Sequence, residues 1–100
     1  MTKLVTTPFD GAKYFTTPES VIDLLNAAFE SGHAPYIANA LGVAARAEGM
    51  TRLAAKTGVN RQALYTALSD EGNPTLETLL KVLGAMGVRL RCEAKEAAAA

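Results

Sequence analysis

The stretch from Thr51 to Leu68, TRLAAKTGVNRQALYTAL, constrains this chain most, because its small, glycine and apolar residues fall at the spacing of two short helices crossing through a tight turn. Such a crossing needs a small residue at the contact and a residue at ease with positive φ in the turn. Ala54 and Gly58 stand at those two places. Leu53 is expected to point inward beside Ala54, Val59 to cover the turn, and Leu64, Ala67 and Leu68 to seat the second helix on the core. Thr57 departs from the pattern, since an apolar residue is more usual there. The spacing predicts a helix-turn-helix over 50–69, with helices near 51–57 and 60–69 and Thr51 and Asn60 as their caps.

On a helical wheel Ala63, Leu64, Ala67 and Leu68 occupy one arc of the second helix, while Arg61, Gln62, Tyr65, Thr66 and Ser69 occupy the other. An ordinary solvated face has the same polarity, and it is the turn spacing that makes double-stranded DNA the leading partner. In a major groove the N-terminal and outward residues of this helix reach base edges, so Arg61, Gln62 and Thr66 are the expected base readers. Arg61 suits guanine and Gln62 adenine. Asn60, Tyr65 and Ser69 lie at the borders, within reach of sugar-phosphate or bases. Thr51, Arg52 and Lys56 on the preceding helix, and Asn73 and Thr75 before the last one, are expected to hold phosphate, the latter pair through helix N-terminal amides. For Thr51 and Thr75 simple capping is an equal alternative.

One hundred residues, 49% of them apolar, suffice for a single core and one domain. No apolar run approaches a membrane span, and the opening MTKLVTTPFDGAKYF lacks the apolar core of a secretory signal, so a cytoplasmic protein with no membrane partner is expected. Cys92 is the sole cysteine and His33 the sole histidine, which excludes an internal disulfide and a histidine and cysteine metal cage within one chain. Cys92 reads as a small apolar filler and His33 as a loop residue. With no nucleophile patterned beside a base and no phosphate-cradling glycine loop, neither an enzyme nor a cofactor is expected.

The net charge of zero hides a gradient. Residues 50–91 carry Arg52, Lys56, Arg61, Lys81, Arg89 and Arg91 against Asp70, Glu71 and Glu77, a net of +3, whereas residues 1–49 have a net of −2 and the last nine a net of −1. The positive charge travels with the helix-turn-helix. So small a surplus predicts weak DNA binding by a monomer, because few phosphates can be neutralised, and a homodimer would double the contacts.

Along the rest of the chain, residues 1–16 read as an extended arm with a turn at Asp10 and Gly11, pinned by Phe9, Tyr14 and Phe15. Thr17, Pro18 and Glu19 open a helix whose Val21, Ile22, Leu24, Leu25, Ala28 and Phe29 form an apolar stripe ending at Gly32. Together with a helix from Pro35 to Gly49 this makes a scaffold over 17–49. After the turn cluster Asp70 to Pro74, a last helix over 75–86 is expected to turn Leu76, Leu79, Leu80, Leu83 and Met86 inward and to close at Gly87. Alternation of Val88, Leu90 and Cys92 with charged residues then predicts a short strand over 88–92, which needs an edge from the arm, a second subunit or a partner, with a dimer favoured. The tail 93–100 reads as a frayed turn.

The segments FDGAKYFTTPESVIDLLNAAFESG, IANALGVAARAEGM and LAAKTGVNRQALYTALSDEGNPTLETLLKVLGAMGVRL resemble the small antidote proteins of bacterial addiction modules, the HigA-like antitoxins encoded beside a RelE-type toxin. The resemblance covers about residues 9–90. It implies an all-α, five-helix, lambda-repressor-like DNA-binding domain that neutralises its toxin and, as a dimer, represses its own operon with the toxin as co-repressor. Asn60 stands where many relatives have serine, and Thr66 where a lysine is common, which removes a positive charge from the reading face. Two other readings stay open: a toxin-sequestering protein with little DNA affinity, and a phage-type repressor without a toxin. A basic toxin would meet the acids of the N-terminal half, Asp10, Glu19, Asp23, Glu30 and Glu48, although each also suits a solvated helix face.

Overall fold

The computed structural model describes residues 17–95 and contains five helices. The expected arm and the last five residues lie outside that range. Helix α1, Pro18–Ser31, starts at a capping box: Thr17 Oγ1 accepts the Ser20 N–H at 3.1 Å and Ser20 Oγ accepts the Thr17 N–H at 3.3 Å. Gly32, at φ 64°, closes it, and its N–H donates to the Phe29 carbonyl. The Ser31 hydroxyl then donates to the Ala28 carbonyl and accepts the His33 N–H, so the end of α1 is tied directly to the start of α2, Ala34–Glu48.

Gly49, at φ 114°, is both the last cap of α2 and the first cap of α3, Met50–Thr57. Its N–H donates to the Ala45 carbonyl at 2.8 Å and its own carbonyl accepts the Leu53 N–H at 2.9 Å. That economy corrects the expected cap. With α3 starting at Met50, Thr51 lies inside the first turn and is exposed. Gly58, at φ 76°, ends α3, and Asn60 caps α4, Arg61–Ala67. Thr75 caps α5, Leu76–Ala85, through its side-chain oxygen and the Thr78 N–H.

The end of α5 is a Schellman closure: the Gly87 N–H donates to the Gly84 carbonyl and the Val88 N–H to the Leu83 carbonyl, with Val88 folded back against the core. The chain beyond it forms no strand among the described residues, contrary to the alternation of 88–92. The physical reason is the absence of an edge, since a strand needs another strand to satisfy its backbone and none is present between residues 17 and 95. Cys92 is exposed rather than a core filler.

Leu41, Leu53, Leu64 and Val82, one each from α2, α3, α4 and α5, are the largest fully buried side chains, and Leu25 and Ala28 bring α1 onto them. Helix α1 packs on α2, while α3 touches α2, α4 and α5. No buried polar or charged side chain is found among the described residues. Helix α5 is rotated from its expected orientation: Val82 and Leu83 are buried, Leu79 and Met86 pack at the margin, and Leu76 and Leu80 face outward, 66% and 49% exposed. Ile22, 38% exposed, also leaves the stripe expected of α1, and Ala63 is exposed instead of core-facing.

Two glycines hold the end of α4. A Cβ on Gly42, in the middle of α2, would collide with the Leu68 carbonyl, and one on Gly72 would collide with the Thr66 and Ala67 carbonyls. Both are places where backbone lies on backbone. Helical glycine ordinarily destabilises relative to alanine, yet at Gly42 the sign reverses: Gly42→Ala is expected to lower stability by about 1–3 kcal/mol through overpacking. At Gly84, where a Cβ would meet nothing within 4 Å, alanine should raise stability by about 0.5–1 kcal/mol. Urea unfolding of the two variants beside the parent checks both signs, and a gain at Gly42 would contradict the packing described.

Candidate nucleic-acid interface

The turn between α3 and α4 is built from local hydrogen bonds. Thr57, which departs from the apolar pattern, donates its hydroxyl to the Leu53 carbonyl at 2.8 Å and accepts the Val59 N–H at 3.1 Å. A polar side chain is therefore satisfied inside a half-buried turn. Beyond Gly58, Asn60 Oδ1 accepts the N–H groups of Gln62 at 2.7 Å and Ala63 at 3.2 Å, so the carbonyl end of this side chain is committed to starting α4. The side-chain amino group remains as a donor.

With Leu64 and Leu68 buried, α4 can present only its opposite side. That side carries Arg61, Gln62, Tyr65 and Thr66, all exposed. They fall on one contiguous arc of the helix. The Arg61 guanidinium carbon lies over the Tyr65 ring, 5.8 Å from its centroid and one turn on. Ser69, half-buried, spends its hydroxyl on the Thr66 carbonyl at 3.0 Å. The ridge thus combines one cation, one carboxamide and two hydroxyls on a helix whose other side is locked in the core.

The remaining candidates divide by how much of each side chain is already engaged. Arg52 pairs with Glu48 one turn before it, at 3.3 Å. Lys56 reaches across to the end of α5, where its Nζ donates to the Ala85 carbonyl at 3.2 Å. The negative end of a helix dipole favours a cation there. Thr75 caps α5 and also donates to the Thr78 hydroxyl, while Asn73 is exposed in the loop before it and Thr51 is exposed on α3. Asn60, Arg61, Gln62, Tyr65, Thr66 and Ser69 are gathered along one helix; Lys56 and Arg52 are turned toward partners of their own chain.

Sequence reasoning missed four contributors here. The stacking of Arg61 on Tyr65 was signalled by their spacing of four residues on a helix. The hydroxyl of Thr57 was signalled by its place one residue before the turn glycine. Gly42 and Gly72, which fix the far end of α4, carried no local signal, because each is explained by a carbonyl distant in sequence or across a loop.

Residues 5–94 match the family described as probable addiction module antidote proteins, and the chain belongs to that family. It is also 36% identical over 85 residues to an uncharacterized protein of Haemophilus influenzae, a match that spans 85% of this chain and 88% of that protein. No solved structure matches the chain. An antidote family of addiction modules implies a toxin as partner. Among the described residues no helix is long and apolar enough to cross a membrane.

The double acceptance by Asn60 ties the start of α4 to a single oxygen. Asn60→Ala is expected to cost about 1 kcal/mol of stability, and Asn60→Ser or Asn60→Asp to retain most of it. Thermal denaturation followed by circular dichroism measures this. Equal stability of the alanine and serine variants would mean that the cap contributes nothing.

Proposed function

We propose that this antidote is a helix-turn-helix protein that binds the operator of its own operon through α4, represses it, and neutralises a RelE-type toxin, as HigA-like antitoxins do. The observation that carries the DNA reading is the ridge of Arg61, Gln62, Tyr65 and Thr66, exposed on a helix held by a cap at one end and two glycine contacts at the other. A rigidly placed, hydrogen-bonding helix face is what base readout requires. Arg61 is the reader of a guanine edge, and Gln62 and Thr66 supply the neighbouring polar contacts. Thr51, Asn73 and the amides at the start of α5 serve as phosphate contacts.

A second reading, sequestration of a toxin with little DNA affinity, draws support from the engagement of Arg52 and Lys56 within the chain, which leaves less positive charge for phosphate. Fluorescence anisotropy on the DNA upstream of the gene, at two salt concentrations and against an unrelated duplex, separates the two. Arg61→Ala is expected to lose about 1–3 kcal/mol on the preferred operator and to relax discrimination at one base pair. An equal loss on every duplex would make Arg61 a phosphate contact, and binding no tighter than to the control would favour sequestration.

For the toxin, the proposed docking side is α1, where Glu19, Asp23 and Glu30 are exposed and share one helical arc opposite the buried Leu25 and Ala28. That stripe has the sign a basic RNA-binding toxin would seek. Reversing Asp23 and Glu30 to lysine together should weaken toxin binding at least tenfold in a calorimetric titration and leave operator binding intact; unchanged toxin affinity would remove α1 from the interface.

A further inference from the structure

Where the start of α1, the last turns of α2 and the end of α5 come together, they border an open groove of about 420 Å³. Its walls are Val21 and Ile22 from α1, Ala44 and Ala47 from α2, and Met86 and Val88 from the closure of α5. Val21, Met86 and Val88 reach the core with one side and leave the other toward the groove. Ile22 stays 38% exposed, although it is the neighbour of Val21 on α1. Helix α1 packs on α2, and α5 packs on α3, so the space between the ends of α1 and α5 is left open among the described residues. A recess of this volume, walled largely by apolar side chains, has room for an aromatic ring.

Thr17, the N-cap of α1, forms part of the same wall. Its N–H donates to Ser20 Oγ, its side-chain oxygen accepts the Ser20 N–H, and its backbone is extended, at φ −111° and ψ 154°. The capping box therefore fixes the course of the chain at the point where residue 16 joins it. Such a cap is often completed by an apolar residue just before it that folds onto the fourth residue of the helix, here Val21. Thr16 stands in that place, and the apolar bulk comes one residue earlier, in Phe15. Residues 1–16 hold three of the six aromatic rings of the chain, Phe9, Tyr14 and Phe15. Of these Phe15 is nearest, two residues from Thr17, a span of at most about 7 Å.

We propose that Phe15 occupies this groove, so that residues 12–16 of the same chain close the space between α1 and α5. The segment is anchored at the groove itself through Thr17, which gives its ring a higher effective concentration there than a group from any other molecule has. The ring covers Val21, Ile22 and Val88 and removes from water the apolar surface that α1 leaves out of the core. If the extended backbone of Thr17 is continued, Lys13 falls on the same side as Phe15. Its ammonium then comes toward the rim where Glu48 lies, a carboxylate that also pairs with Arg52. Held in this way, the segment ties the first turn of α1 to the end of α5 and, because α5 packs on α3, to the turn that carries α4. The proposal rests on neither the DNA reading nor the toxin reading.

Nuclear magnetic resonance of the full chain tests the placement. The ring protons of Phe15 should show Overhauser contacts to the methyl groups of Val21, Ile22 and Val88, and a sample mixing labelled with unlabelled chains should show that these contacts lie within one chain. Contacts found only between chains would put a second copy in the groove. No ring contact at all would leave the groove to a different partner or to solvent, and either result overturns the proposal. Because the spectrum is read on the unaltered protein, it depends on no variant folding. Urea unfolding gives an independent check. Ile22→Ala should lower the unfolding midpoint of the parent and should lose at least half of that effect when Phe15→Ala is already present, since two side chains in contact do not contribute additively. An equal effect of Ile22→Ala in both backgrounds would mean that the ring does not rest on Ile22, and the assignment of Phe15 to the groove would fall.

Discussion

The placement of α4 depends on carbonyl groups resting directly on glycine backbone. Gly42 admits the Leu68 carbonyl against the middle of α2, and Gly72 admits those of Thr66 and Ala67 as the loop crosses the helix end. Neither contact has room for a methyl group. Seven residues of helix are too few to hold their own orientation, since short helices draw their stability from packing. With the C-terminal end wedged between α2 and the loop, the N-terminal end capped by Asn60 and Leu64 buried between them, α4 keeps one orientation and the exposed arc follows from it.

The same economy governs the polar groups around it. Side chains that resemble free hydrogen-bonding capacity in the sequence are largely spent on the chain itself: Thr57 on the turn, Thr75 on the start of α5, Ser69 on α4, Lys56 on the end of α5. What remains outward on α4 is a small set headed by Arg61, whose guanidinium lies over the Tyr65 ring. A protein of zero net charge that binds a polyanion would have to rely on a few well-placed groups rather than on a basic field.

Much of the helical layout was legible beforehand. Thr17, Pro18, Gly32, Gly58, Asn60, Thr75 and Gly87 mark helix ends through local rules of capping and left-handed conformation, and the five helices follow them. The errors have physical causes of one kind. Thr51 looked like a cap, but Gly49 had already closed α2 and opened α3 in one residue. Leu76 and Leu80 looked like core because apolar periodicity gives a face and not its neighbour. Residues 88–92 alternate like a strand, and alternation cannot supply the edge that makes one.

By itself, the sequence determined that five helices form and where most of them begin or end, which residue makes the turn between α3 and α4, and that Leu53 and Leu64 belong inside. Each depends on groups within a few residues of one another, so spacing is enough. Only the tertiary structure decided which side of α5 the core would take, that Lys56 would reach Ala85 across the gap between two helices, and that Gly42 would carry α2 onto the end of α4. Those depend on how helices distant in the chain cross, and a crossing is settled by the shapes of both surfaces together, which no single stretch of residues contains.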